Sequence, residues 1–356
     1  MNKNIKYLLD LLFSTKAAGF YLLLFAVSIG TATFIENDFG TSSAQALIYR
    51  AKWFELLLFL FSGSIVYNIV RFKMVKNRKW AHLIFHIAII IILLGAAVTR
   101  YFGYEGMMNI REGSSANYFL SSNTYLKFDS KYDNKNYSFD EKVYFSTLGS
   151  NRFHKKYQIG THIIDVKLNG FIPNPARKLV DDPNGKAIAK IVVAGNMGRE
   201  EYFLSKGESM IISGKLFNFT DELKDNAVNI IMNDGIPMFS TDKRVIQTVM
   251  ATQQTDTLNP GGMNPLLQRS MYQMDDVSFV VGEFNPSSKV MIVSTDRKMK
   301  SGSTGGLNLA VDIDGTKDTI LLTGISGVEG APQTVSANGI DLAVSYGAKR
   351  IQLPLQ

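Results

Sequence analysis

Two histidines, His82 and His86, sit in an apolar run with no other ionisable residue, WAHLIFHIAIIIILLGAAV from Trp80 to Val98. Residues four apart share a helical face, so the run presents two imidazoles on one side of a helix. An ionisable group inside a membrane helix is costly to place and points to function. His86 lies seven residues past Lys79, roughly 10 Å into the run at 1.5 Å per residue. A neutral imidazole at that depth can be an axial ligand to haem iron, its other nitrogen held by a hydrogen bond. It can equally hydrogen-bond a neighbouring helix, and the residues alone leave these two uses balanced. His82 lies a turn closer to the basic flank, where an interfacial role suits it better. Zinc fits poorly: the pair lacks the Glu that follows the first His of a zincin helix, and no third ligand is visible.

Other residue types offer less. The chain has no cysteine, which excludes disulfides, thiol redox chemistry, zinc–thiolate sites and thioether attachment of haem to the chain itself. Gly302-Ser303-Thr304-Gly305-Gly306 is glycine-rich but lacks the Gly-Lys-Ser/Thr ending of a phosphate-binding loop, and reads as a connection. Scattered methionines such as Met107, Met108, Met271 and Met274 suit packing better than copper. His154 and His162 carry no catalytic pattern, and no nucleophilic triad or carboxylate pair stands out. No catalytic residue and no resident metal site is assigned.

The elements that must position the histidines are membrane spans. Three uncharged or nearly uncharged runs cover residues 17–34, 53–70 and 80–98; the second carries Glu55 near its start. The third reaches roughly 28 Å as a helix, about one hydrocarbon thickness. Lys3, Lys6 and Lys16 precede the first span, and Arg71, Lys73, Lys76, Arg78 and Lys79 separate the second from the third with no acidic residue among them. By the positive-inside rule these segments are cytoplasmic, so the chain emerges on the far side after Val98. Trp53, Trp80, Tyr101, Phe102 and Tyr104 fall where interfacial aromatics belong.

Beyond about Asn109 the pattern becomes short alternating or apolar runs, such as THIIDVKLNGFI, KVMIVST, LNLAVDI and DTILLTGI. β-Branched residues dominate, and the steps Asp234-Gly235 and Asp314-Gly315 mark hairpin turns. The pattern predicts an antiparallel sandwich or barrel-like β-domain, interrupted by long polar connections near 129–136, 253–264 and 297–306. The fold class is therefore a membrane protein with three N-terminal transmembrane α-helices followed by a large, all-β-rich extracytoplasmic domain. Its division is a cytoplasmic N-terminus (1–16), a transmembrane region (17–100) and the β-rich domain (101–356). The formal charge of +7 over 356 residues resides largely in loops beside the membrane. No basic stripe remains to suit nucleic acid. The chain ends at LPLQ in a strand-like stretch, and a continuation beyond it is expected.

Two segments beside the membrane mix aromatics, arginines and carboxylates: FIENDFGTSSAQALIYRAKWFE (34–55), read as an outer loop, and TRYFGYEGMMNIREG (99–113). They suit surface anchoring or partner docking better than contact of Arg50, Arg100 or Arg111 with anionic groups such as haem propionates. With TATF before the first segment, and with HIAIIIILLGAA of the third span, they carry a resemblance to the ResB/CcsB family of cytochrome c biogenesis proteins. The motifs that carry it lie in about the first 120 residues, while the layout of spans and β-domain matches throughout.

That resemblance implies the ResB/CcsB half of a two-part haem exporter and cytochrome c synthase in the bacterial inner membrane. Its partners would be a CcsA-type membrane protein or fused domain, apocytochrome c and the bilayer. Haem b would be bound transiently, shared between histidines of the two halves. The family's transmembrane histidine, followed by an apolar run and glycine, maps onto His86 with Gly95 nine residues on; His82 has no such match. In the family a fourth span leads from the β-domain into the CcsA half, where the tryptophan-rich external haem segment resides. This chain alone would then be no complete enzyme, but would supply one ligand and a scaffold. The alternative is a non-catalytic, membrane-anchored docking protein that binds apocytochrome or a partner without ligating haem.

Overall fold

In the computed structural model, residues 3–195, 198–274, 277–300 and 302–354 are described. Met1 and Asn2 of the N-terminal segment, Ser301 of the 297–306 connection, and Leu355 and Gln356 of the terminal LPLQ lie outside them. Four helices open the chain: α1 (Lys3–Phe13), α2 (Thr15–Ala44), α3 (Lys52–Arg71) and α4 (Trp80–Phe102). The last three are long and apolar enough to cross a membrane. Ser14 separates α1 from α2, its hydroxyl accepting a hydrogen bond from the Ala17 amide at 3.2 Å, as an N-cap does.

The first span ends later than hydropathy predicts. At 30 residues α2 is about 45 Å long, against about 30 Å of hydrocarbon. It continues as a π-helical turn over Gln45–Tyr49. The segment read as an outer loop is thus largely helical. Hydropathy stops at Phe34, but helical hydrogen bonding does not, because Ser43 and Thr41 turn their hydroxyls back onto Phe39 O (2.7 Å) and Glu36 Oε1 (2.7 Å). The helix bends at Gly40, whose φ of 78° lies in the left-handed region that favours glycine.

The chain forms two compact units, a cut by contact rather than by hydropathy. The first comprises residues 1–175 and 294–356, and the second Ala176–Val293. In the first, the helices precede two antiparallel sheets. One is built on Tyr118–Tyr132 paired with Ile340–Gln352, flanked by Gly106–Met107, Lys135–Val143 and Gln333–Ala337. The other runs Thr316–Ile325, Thr304–Ile313, His162–Pro173, His154–Ile159. Alternate residues from both meet in one core: Leu307, Leu309, Val311 and Ile313 with Ile164, Val166 and Leu168 from one sheet, and Leu342, Val344, Leu126 and Phe128 from the other. Period-two burial on both faces is the pattern of a sandwich.

The second unit pairs a six-stranded sheet (Val245–Val249 and Ser278–Ser294 among its members) with a five-stranded one around Ile191, Leu204, Phe217, Phe239, Tyr272 and Phe279. One pair is parallel, Lys215–Phe219 beside Ala227–Asn233, where the sequence predicted only antiparallel partners. Parallel neighbours ordinarily need a long crossover. Here residues 220–226 suffice because two buried amides close the bend. Asn218 Nδ2 donates to Asn229 Oδ1 at 2.8 Å and to Glu222 O at 2.8 Å, and Asn229 exchanges bonds with the Lys224 backbone at 2.9 Å each way.

Two expected hairpin turns form as predicted, with Asp234-Gly235 and Asp314-Gly315 all at positive φ. The long polar connections contain strand to different extents. Residues 129–136 contract to a two-residue turn at Asp133-Asn134, both left-handed. Residues 253–264 contain the strand Thr255–Leu258, paired with Val245–Val249. Thr304, Gly305 and Gly306 pair with the strand His162–Pro173. Polar side chains facing solvent masked the backbone pairing beneath them.

The Asp314 turn is also an electrostatic link. Asp314 accepts from the Ile163 amide at 2.9 Å and from His162 Nδ1 at 2.5 Å. The Ile163 amide first, and His162 next, hold its pKa below the ordinary value of 3.8. Because the folded-state pKa is depressed, this stabilisation is present in full above that value and is lost as pH falls beneath it. The whole protein in detergent is expected to lose stability on acidification from about pH 5 to about pH 2. Asp314→Asn, which keeps the turn, should flatten that dependence in thermal unfolding; an unchanged pH slope would sink this account.

Candidate functional site at the start of helix α4

The site begins with the junction of α1, α2 and α3. The ring of Phe13 lies against α3 at Gly63, where any Cβ would come within 2.7 Å of its Cε1. Asn68 of α3 is 4% exposed. Its side chain accepts from Thr15 Oγ1 at 2.9 Å and donates to Ser64 O at 2.7 Å and Phe13 O at 3.3 Å. Around the corner Tyr67 donates to Asp10 at 2.8 Å, and Arg71 pairs with the same carboxylate at 3.0 Å. A satisfied amide of this kind can sit in an apolar bundle where an unsatisfied one cannot.

The loop between α3 and α4 is held tightly. Lys73 and Arg78, near its ends, adopt left-handed backbone with φ of 48° and 51°, which costs an L-residue about 1–2 kcal/mol each. Met74 is buried between them, and its backbone accepts from the Lys79 amide at 3.0 Å while donating to Ile69 O at 3.2 Å. Non-glycine residues in this conformation persist where their surroundings fix them, and they gather at functional sites.

These elements border an open cavity of about 660 Å³, mostly apolar, whose lining includes Ala18, Ile65, Phe72, Trp80, His82 and His86. Both predicted histidines therefore line one cavity. His86 Nδ1 lies 2.6 Å from the His82 carbonyl oxygen. With Nδ1–H donating there, Nε2 carries the free lone pair, the tautomer a metal-binding imidazole needs. Volume and apolar lining suit a flat organic ligand. Among the described residues no three His, Asp or Glu side chains gather as a metal site. Sequence reading missed Thr15, Asn68, Met74, Arg78 and Lys79 as lining residues. Only the apolar-run position of Asn68 could have signalled one of them.

At the opposite end of α4, Arg100 donates to Glu55 Oε1 at 2.5 Å and to the backbone oxygen of Tyr49, while Tyr101 donates to the same Glu55 oxygen at 3.1 Å. The lone carboxylate of the second span is thus paired. Arg50 stacks on Tyr144 at 4.4 Å, and Arg111 is exposed. His154 and His162 lie on strands of the first unit as carboxylate partners, His154 with Asp165 at 2.8 Å.

Histidine-bearing α4 and two companion helices long and apolar enough to cross a membrane precede a β-rich remainder, and the similarity to known proteins falls on that junction. Residues 76–160 match the model of the ResB-like family, a stretch that takes in the end of the α3–α4 loop, α4 and the first strands. The resemblance read from the sequence is borne out there. The Protein NrfI of Wolinella succinogenes is 50% identical over 105 residues, 30% of this chain. The chain spans only 11% of that relative's length.

The Arg100–Glu55 link is testable. Glu55→Ala leaves the guanidinium without its charged acceptor and is expected to cost about 1–3 kcal/mol. Thermal unfolding of the detergent-solubilised protein should show a lowered midpoint, with Glu55→Gln intermediate. Equal midpoints for all three would show that the link contributes nothing.

Proposed function

We propose that this chain works in cytochrome c biogenesis as the ResB-like half of a haem-handling assembly in the bacterial inner membrane. His86 supplies one axial ligand through Nε2, and a CcsA-type partner or fused domain supplies the other. Haem b is cargo, held briefly on its way to an apocytochrome, and the β units serve as an extracytoplasmic scaffold. The observation that carries this reading is the His86 imidazole, fixed by the His82 carbonyl and bordering an apolar cavity of ligand size. His82 contributes through its backbone oxygen and the cavity wall.

Several features support the assignment. Positive residues at both ends of the α1–α3 region favour a cytoplasmic cavity mouth. Helix α4 is barely covered by its own chain: 6% of its apolar window is buried, and nothing lies within 4 Å of a Cβ built at Gly95. A second membrane half can approach such a helix closely. A chain without cysteine cannot capture haem covalently on the way.

A second reading, a docking protein that does not ligate haem, draws on the exposed Phe102, Tyr104 and Met107 just beyond α4. The absorption spectrum of the full chain, purified with its CcsA-type half, separates the two. Wild type should show a Soret band with low-spin α and β bands. His86→Ala should weaken them severalfold, and added imidazole should restore them. Identical spectra for the two proteins would favour docking.

A further inference from the structure

Two cations of the α3–α4 loop belong to the His86 cavity. Arg78 and Lys79 line it together with His82 and His86, and neither forms an ion pair among the described residues, whereas Arg71, the last residue of α3, is paired with Asp10. Lys79 is the N-cap residue of α4. Lys79, His82 and His86 therefore recur at i, i+3 and i+7, a spacing that puts them on one face of the helix. Roughly 10 Å along the axis separates the cation from the second imidazole.

The chemistry of the cavity is thus graded. At the loop end stand two positive charges without an ion-pair partner among the described residues, and deeper in lie apolar walls and an imidazole with a free nitrogen. Such a gradient fits a molecule with an apolar, metal-bearing body and carboxylates on one edge. Charges needed only to orient a membrane protein have no reason to border the cavity. Nor would they need a loop whose backbone is held at Met74, with Arg78 kept in a left-handed conformation.

We infer that Arg78 and Lys79 bind the two propionate carboxylates of haem in the His86 cavity, so that this site selects the free diacid over neutral porphyrins. The inference rests on the haem-handling reading. A guanidinium receives a carboxylate through paired N–H donors, and an ammonium receives one as a point charge. Carboxylates held at the loop end would leave the iron deeper along α4, on the side of His86.

The experiment titrates the full chain, alone and with its CcsA-type half, with iron protoporphyrin and separately with its dimethyl ester, following the Soret band. Wild type should bind the diacid about 10- to 100-fold more tightly than the ester, the range expected for charge-assisted hydrogen bonds. Arg78→Asn combined with Lys79→Gln should remove that preference while leaving ester affinity unchanged. Asn also tolerates the left-handed backbone at position 78. Lys79→Arg, which keeps the charge, should retain the preference. Equal diacid and ester affinities in wild type, or a preference that survives in the double variant, would overturn the inference. His86→Ala reports separately. If it changes neither titration, ligation by His86 fails, whatever the ester comparison shows.

Discussion

Arg100 holds three helical elements at a single point. Its guanidinium reaches the backbone oxygen of Tyr49 at the end of the π-helical turn that continues α2, and Glu55 at the start of α3, from its own place near the end of α4. At a membrane boundary a charge without a partner is costly. The carboxylate in α3 and the arginine in α4 therefore require one another, and meeting that requirement aligns the helices. The far end of the same bundle is set by a neutral counterpart, Asn68, whose amide ties α3 to the α1–α2 corner. Between these two polar pins the contacts are mainly between apolar side chains, which are plentiful but indifferent to register. The pins decide where His86 stands relative to the cavity wall.

In the β units the ordering force is different. Alternation of apolar and polar residues fixes which face of each strand turns inward, and a slip of one residue would expose the whole row Leu307, Leu309, Val311, Ile313. Left-handed turn residues such as Asp314 and Gly315 set the hairpin registers. Buried polar groups appear where geometry is unusual, as with Asn218 and Asn229 at the short parallel connection, rather than spread through the core.

How much of this could be read from the residues alone follows from which forces leave a local trace. Three spans, the strand-rich remainder, two Asp-Gly turns and the histidine pair were legible, because hydropathy, period-two patterning and an ionisable group in an apolar run are local signals. The helical continuation past Phe34 was not, because nothing in composition distinguishes a polar helix from a polar loop when short-range hydroxyl bonds such as Ser43 to Phe39 do the capping. The strand Thr255–Leu258 was hidden for a similar reason: its ladder partners lie in backbone atoms. At the cavity the imidazoles announced themselves. Arg78 and Lys79 looked like topology charges until the loop fold carried them to the same wall.

The seam between the two compact units has a consequence for how such a chain can change. The first unit is left at Pro175 and rejoined at Ser294, and the residues beside those points are clasped together. Thr295 donates to Asn174 O at 3.1 Å, and the Asn174 side chain donates to Asp296 O and Lys298 O at 3.0 and 2.8 Å. Departure and return are thus hydrogen-bonded neighbours, and the intervening segment is topologically a loop, however large. A genetic event that excised it would leave one joint, and one that replaced it would make two joints at the same place in the fold. Kinship in the α4 region can therefore persist between chains whose middle portions share no ancestry, and similarity measured over whole lengths would underestimate it.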